Sequence, residues 1–232
     1  MVGPGTAPSG GGSASATAGY IAPFLVYVSL LAIGRVLPAA PPAEHAARLA
    51  IVLAVILIWS RPFVELRPAC AAASIALGLA VFAVWIGPDL LFHYRHHWLF
   101  ENSMMGRAVS GLAPELQHDR RFLMVRMLTT AGLVPVVEEL FWRGWLMRWL
   151  IDNRDFRKVP LGTYRPAAFW VVAVLFASEH GPYWEVGLLA GIAYNWWMIR
   201  SRSLADCILA HAVTNAALGV YVIARGAHQY WL

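Results

Sequence analysis

The sequence predicts an all-α protein, a polytopic membrane helical bundle of about seven transmembrane helices with short amphipathic helices at the interface. Three observations point there. Of 232 residues, 59% are hydrophobic and 13% charged, against about 45–50% and about 25% in soluble domains. The apolar residues fall in long runs, and in lipid only helices and closed barrels satisfy every backbone polar group. Those runs are too long and too unalternating for barrel strands.

Residues 1–19 (MVGPGTAPSGGGSASATAG) are small, uncharged and rich in Gly, Ser and Pro, so they are expected to form a disordered tail. They lack the basic start of a signal peptide. A single membrane-embedded domain is expected over 20–232. Its first span runs from about Tyr20 to Leu37, stopped by Pro38 and the Pro41-Pro42 pair. The second runs from about Ala46 to Ser60, stopped at Arg61-Pro62, and the third from about Ala69 to Ile86. Residues 87–121 mix Pro88, Gly106, Gly111 and Pro114 with Trp, Phe, His and Arg, which suits an interfacial connection with one or two short amphipathic helices. Four helical segments follow at about Phe122–Ile151, Pro166–His180, Tyr183–Arg200 and Leu204–Ala224, parted by DNRDFRK, GP and SRS. No internal repeat is visible. Alternate loops carry nearly equal numbers of Arg and Lys, so the positive-inside rule assigns no orientation.

The formal charge of +5 comes from scattered residues, nearly all arginine. No basic block interleaved with aromatics is present, so no nucleic-acid partner is expected, and contact with the lipid bilayer accounts for the charge. Cys70 and Cys207 both fall in expected spans without a neighbouring motif, so neither a disulfide nor thiol catalysis is indicated. HYRHHW at 93–98, and the tryptophans at 142, 145, 149, 170, 184, 196 and 197, read as interfacial anchors.

The chemistry concentrates in three late helices. VEELFWRG at 137–144 sets two carboxylates and an arginine in apolar surroundings. On a helix Glu139 and Arg143 are four apart and pair on one face, while Glu138 points about 100° away and lacks that partner. His180 ends FASEHG, and His211 and Asn215 lie one turn apart in LAHAVTNAAL. Polar groups in lipid seek one another, so a shared internal site is the economical reading.

EELFWR (138–143), FASEH (176–180) and HAVTN (211–215), in this order on three hydrophobic helices, resemble the EExxxR, FxxxH and HxxxN motifs of the CPBP family of intramembrane proteases, which includes the type II CAAX prenyl endopeptidases. The motif core spans about 122–224. PF at 23–24 and WIGPD at 85–89 are similar to bacterial members associated with exosortase systems. The resemblance implies glutamate-dependent peptide hydrolysis without a cofactor or metal. Glu138 is then the general base on a water that His180 holds from the other side, and His180 protonates the leaving amine. His211 and Asn215 supply oxyanion donors, Glu139 and Arg143 form a supporting pair, and Phe176 packs on His180. Glu179 is a rival partner for His180.

Two alternatives stand beside this reading. Glu138, His180 and His211 also make a possible zinc set, though no HExxH pair pre-spaces two ligands. A non-enzymatic membrane protein, of the immunity or scaffold kind or a proton-relay transporter, is the other. The expected partner is a membrane protein or peptide substrate, and the expected location a bacterial inner membrane. The sequence holds no specificity code and nothing that sets an oligomeric state.

Overall fold

The computed structural model describes residues 13–36 and 40–231. Of the expected N-terminal tail, residues 1–12 lie outside the described residues. Ser13–Gly19 do not continue it: they open the first helix, α1 (Ser13–Val36). The early start has a packing reason. Gly19 lies so close to the end of the second span that an added Cβ would meet the Phe63 ring at 2.4 Å. Pro23 inside α1 has no N–H to give the Gly19 carbonyl, and the buried Ser60 hydroxyl donates to that carbonyl instead, at 2.6 Å.

The second span comprises α2 (Pro41–Val55), a wide π turn Ile56–Ser60 and a short 3-10 turn Arg61–Phe63, ending at the expected Arg-Pro step. The next helix, α3 (Ala71–Phe92), runs past Pro88 to a left-handed cap at His93. Between it and the next helix, one 3-10 turn, Tyr94–His96, stands among loops and turns where short amphipathic helices are expected. Gly106 at φ 85° and the Asn102 side chain, which accepts from the Met104 and Met105 N–H groups, hold the chain in turns there.

Residues 120–149 are continuously helical: α4 (Arg120–Met127), a π turn Leu128–Leu133, α5 (Val134–Glu139), a π turn Leu140–Leu146 and α6 (Met147–Trp149). Asp119 caps the start through Arg121 and Phe122 N–H. The first wide turn has local causes. Thr129 and Thr130 hydroxyls donate back to the Val125 and Arg126 carbonyls, and Pro135 offers no N–H to Ala131. The remaining helices are α7 (Pro166–Ser178), α8 (Trp184–Ser201) and α9 (Leu204–Arg225).

No strand occurs among the described residues, and the fold is an all-α bundle. Four stretches, Ser15–Gly34, Pro41–Phe63, Ala71–Phe92 and Leu204–Arg225, are long and apolar enough to cross a membrane, and Pro166–Ser178 is a shorter apolar helix. The chain is an integral membrane protein.

Close packing of α3 on α9 sets the frame of the site. An added Cβ at Gly78 would meet the Ala210 carbonyl at 2.4 Å, and the Thr214 hydroxyl lies 2.9 Å from the Gly78 carbonyl. One end of this contact is locked by Asp206, whose carboxylate accepts from Ala69 and Cys70 N–H and from the Ser74 hydroxyl at 2.8–2.9 Å.

Three interfacial assignments change. Arg95 is buried, pairs with Glu185 at 2.8 Å and Asp89 at 3.4 Å, and stacks on Tyr183, because two carboxylates at helix ends meet it there. Trp142 packs between Phe24, Phe141 and Phe176. Trp197 is buried with its N–H on Ser74.

Candidate active site

α5 and the wide turn after it present Glu138 and Glu139 to different neighbours. Glu139 and Arg143 pair at 3.0 Å with both side chains fully buried. The guanidinium also donates to the Asn195 side-chain carbonyl at 2.9 Å and the Gly191 carbonyl at 3.3 Å, and it lies over the Phe176 ring. Asn195 in turn donates to the Phe169 carbonyl. Arg143 thereby ties the first motif helix to α7 and α8. Asn195 is absent from the sequence reading, although a buried amide in an apolar run is the same kind of signal that marks His211 and Asn215.

The same Glu139 oxygen lies 2.9 Å from His211 Nδ1. The Glu139 oxygen that accepts from Arg143 is an acceptor here as well, so Nδ1 carries the proton and donates. A neutral His211 ring then presents a lone pair at Nε2, which faces Glu138 Oε2 at 4.0 Å. His211 acts as an oxyanion donor only as an imidazolium, a condition that spacing alone does not reveal.

His180 sits two residues beyond α7, in a turn closed by Gly181 at φ 50°. Its Nδ1 lies 2.8 Å from the Phe176 carbonyl, which only accepts, so the neutral ring keeps its Nε2 lone pair available. Gly187 makes room for the ring: a Cβ there would stand 3.0 Å from it. Phe176 contributes both this carbonyl and a ring 4.8 Å from that of His180. Asn215 gives one amide hydrogen to the Thr130 carbonyl at 2.9 Å, within the wide turn of residues 128–133, and keeps the other.

Glu138, His180, His211 and Asn215 all line one cavity of about 260 Å³. Glu139 and Arg143 stand behind that wall, and Phe176 is part of it. Glu179 also lines the cavity and is exposed, which places it at the mouth; no bond to His180 joins the two. The largely aromatic and aliphatic remainder of the lining includes residues from outside the motif helices: Phe24, Tyr27, Val28 and Leu31 of α1, with Trp85, Tyr230 and Trp231. Among the described residues, no three His, Cys, Asp or Glu side chains are grouped to hold a metal ion. Neither cysteine lines the cavity: Cys207 is buried and free, and Cys70 is exposed just ahead of α3.

Residues 120–217 match the family described as Rce1-like, type II CAAX prenyl endopeptidase. Over this segment the match supports a CPBP-family intramembrane protease. The CPBP segment takes in α4 to α8 and most of α9, and with them Glu138, Glu139, Arg143, Phe176, His180, His211 and Asn215; α1, α3 and residues 228–231 of the cavity wall lie outside it. No curated protein and no solved structure matches the chain. The likeness to a protease family supports peptidase activity.

Proposed function

We propose that the chain is an intramembrane endopeptidase that hydrolyses a peptide bond with a water activated by Glu138 and His180. The observation that carries this reading is the placing of Glu138: it lines the cavity, with its buried Oε2 lacking a hydrogen-bond partner among the described residues, while Glu139 lies behind the wall, its Oε1 taken by Arg143 and His211 and only its Oε2 without a partner. A carboxylate kept unpaired in apolar surroundings is costly, and a proton-transfer role gives that cost a purpose.

In this mechanism a water lies between Glu138 and the Nε2 lone pair of His180. Glu138 takes one proton as the water oxygen bonds to the peptide carbon, and the carbonyl electron pair moves to oxygen. The free Asn215 amide hydrogen stabilises that oxyanion, joined by His211 when it is an imidazolium. Collapse breaks the C–N bond, and the proton reaches the leaving amine through His180. Glu139 orients His211, and Arg143 holds Glu139 in place.

The substrate is a membrane protein or membrane-bound peptide, and the setting a bacterial inner membrane. An immunity or scaffold role is disfavoured because Glu, His, His and Asn are all present and line one cavity. The test is processing in cells. Membrane-fraction proteomics of strains carrying wild type or Glu138→Gln should find a protein whose terminus changes only with the wild type, with both proteins equally abundant and equally stable in detergent. Identical termini in the two strains would remove the proposal.

A further inference from the structure

Two residues that line the cavity carry a buried polar side-chain atom without a partner among the described residues: Glu138 Oε2 and Trp85 Nε1. The first is the proposed base. The second belongs to the WIGPD stretch and plays no part in the mechanism above. Trp85 lies on α3, two turns beyond the Gly78 contact that presses α3 against α9, and the spacing 78, 81, 85 keeps one helix face toward the core. The residue is buried, at 8% exposure, and its ring meets the His180 ring edge-on at 5.3 Å. A buried indole N–H without an acceptor is unusual and calls for an explanation.

Most of the hydroxyl and ring donors around the cavity are already engaged. The Tyr183 hydroxyl is taken by the Gln229 carbonyl, that of Tyr194 by Thr214, that of Tyr230 by Asp89, and that of Thr130 by the Arg126 carbonyl. His180 and His211 spend Nδ1 on Phe176 and Glu139. Asn215 keeps one amide hydrogen. An oxyanion is best held by two donors, and with His211 neutral Asn215 supplies one. We infer that the Trp85 indole N–H is the second donor, binding the oxygen of the scissile carbonyl beside Asn215. This rests on the proposed hydrolysis, and it assigns a catalytic group to α3, outside the residues that match the family. No bond to Trp85 forms or breaks: its hydrogen bond strengthens as charge gathers on the oxygen.

The test uses the full chain and the substrate found by comparing wild type with Glu138→Gln. Trp85 is replaced by β-(3-benzothienyl)alanine, which keeps the bicyclic ring and exchanges the N–H for sulfur, and separately by Trp85→Phe. The expected result is a kcat lowered about 10²-fold in both, with KM and the melting midpoint of the benzothienyl protein close to wild type. A benzothienyl protein with wild-type kcat, alongside an inactive Glu138→Gln, overturns this inference alone. A markedly lowered melting midpoint overturns it too, since the N–H then serves folding. Unchanged processing by Glu138→Gln overturns the catalytic reading and this inference with it.

Discussion

Removing Arg143 tests the most constrained part of the site. Arg143→Ala deletes the partner of a fully buried carboxylate and leaves the Asn195 side-chain carbonyl without its donor, while the Gly191 carbonyl keeps its helical one. Breaking a buried ion pair by removing one member costs about 3–5 kcal/mol, and the one orphaned acceptor adds about 1–3 kcal/mol at most. Water entering the vacated volume recovers part of this, so the expected loss is about 5 kcal/mol. At roughly 2–4 °C per kcal/mol for a chain of this size, the midpoint falls by on the order of 10 °C. The assay is thermal unfolding in detergent with a thiol-reactive dye in a Cys70→Ser background, where the buried Cys207 thiol reports opening of the core. Adding Glu139→Gln and Arg143→Met together removes both charges and keeps most of the volume, so this double variant should lose much less than Arg143→Ala. An Arg143→Ala midpoint equal to wild type, or a double variant as unstable as the single one, would refute the reasoning.

The remaining predictions concern the alternatives and the frame. Activity should survive exhaustive EDTA or phenanthroline treatment, and purified protein should carry far less than one zinc per chain by elemental analysis; chelator-sensitive activity restored by zinc would promote the metal reading. Asn215→Ala should slow cleavage about 10²-fold through the lost oxyanion donor, and near-normal turnover would count against its role. Asp206→Ala removes an acceptor of two backbone N–H groups and one hydroxyl at the α3–α9 contact. It should lower stability by about 3 kcal/mol, and an unchanged melting midpoint would show that Asp206 does not lock the two helices.

Spacing along one helix made part of the site legible. The four-residue step from Glu139 to Arg143 yields their ion pair directly, and the divergent angle of Glu138 leaves its carboxylate apart from Arg143, because both follow from helical geometry that the wide turn after Glu139 does not undo. What involves two distant segments was not legible. That Glu139 also accepts from His211, 72 residues on, depends on how α9 packs against α5. Arg95 and Trp142 were placed at the interface because an apolar run ends near them. The ends of runs are also where helices converge on a site, and composition does not separate the two situations. Trp85, though part of WIGPD, carried no catalytic signal: a tryptophan in an apolar span reads as packing until its N–H is seen to lack an acceptor.

The cavity divides its labour between the two halves of the chain. Its polar wall is supplied by helices within residues 120–217, so the family match bears on the chemistry. The largely aromatic and aliphatic remainder includes α1, where Phe24, Tyr27, Val28 and Leu31 recur at i, i+3, i+4 and i+7 and so share one face. Its lower part is fixed by the Ser60 bond to Gly19, which stands in for the backbone bond that Pro23 breaks, and by the stacking of Phe24 on Phe141 at 4.0 Å. α1 is thus seated by contacts that the catalytic motifs do not encode. On the proposed function, the shape and apolarity met by a substrate can therefore change in α1 without altering Glu138, His180, His211 or Asn215, which is the physical reason that three short motifs point to a reaction and remain silent about what is cleaved.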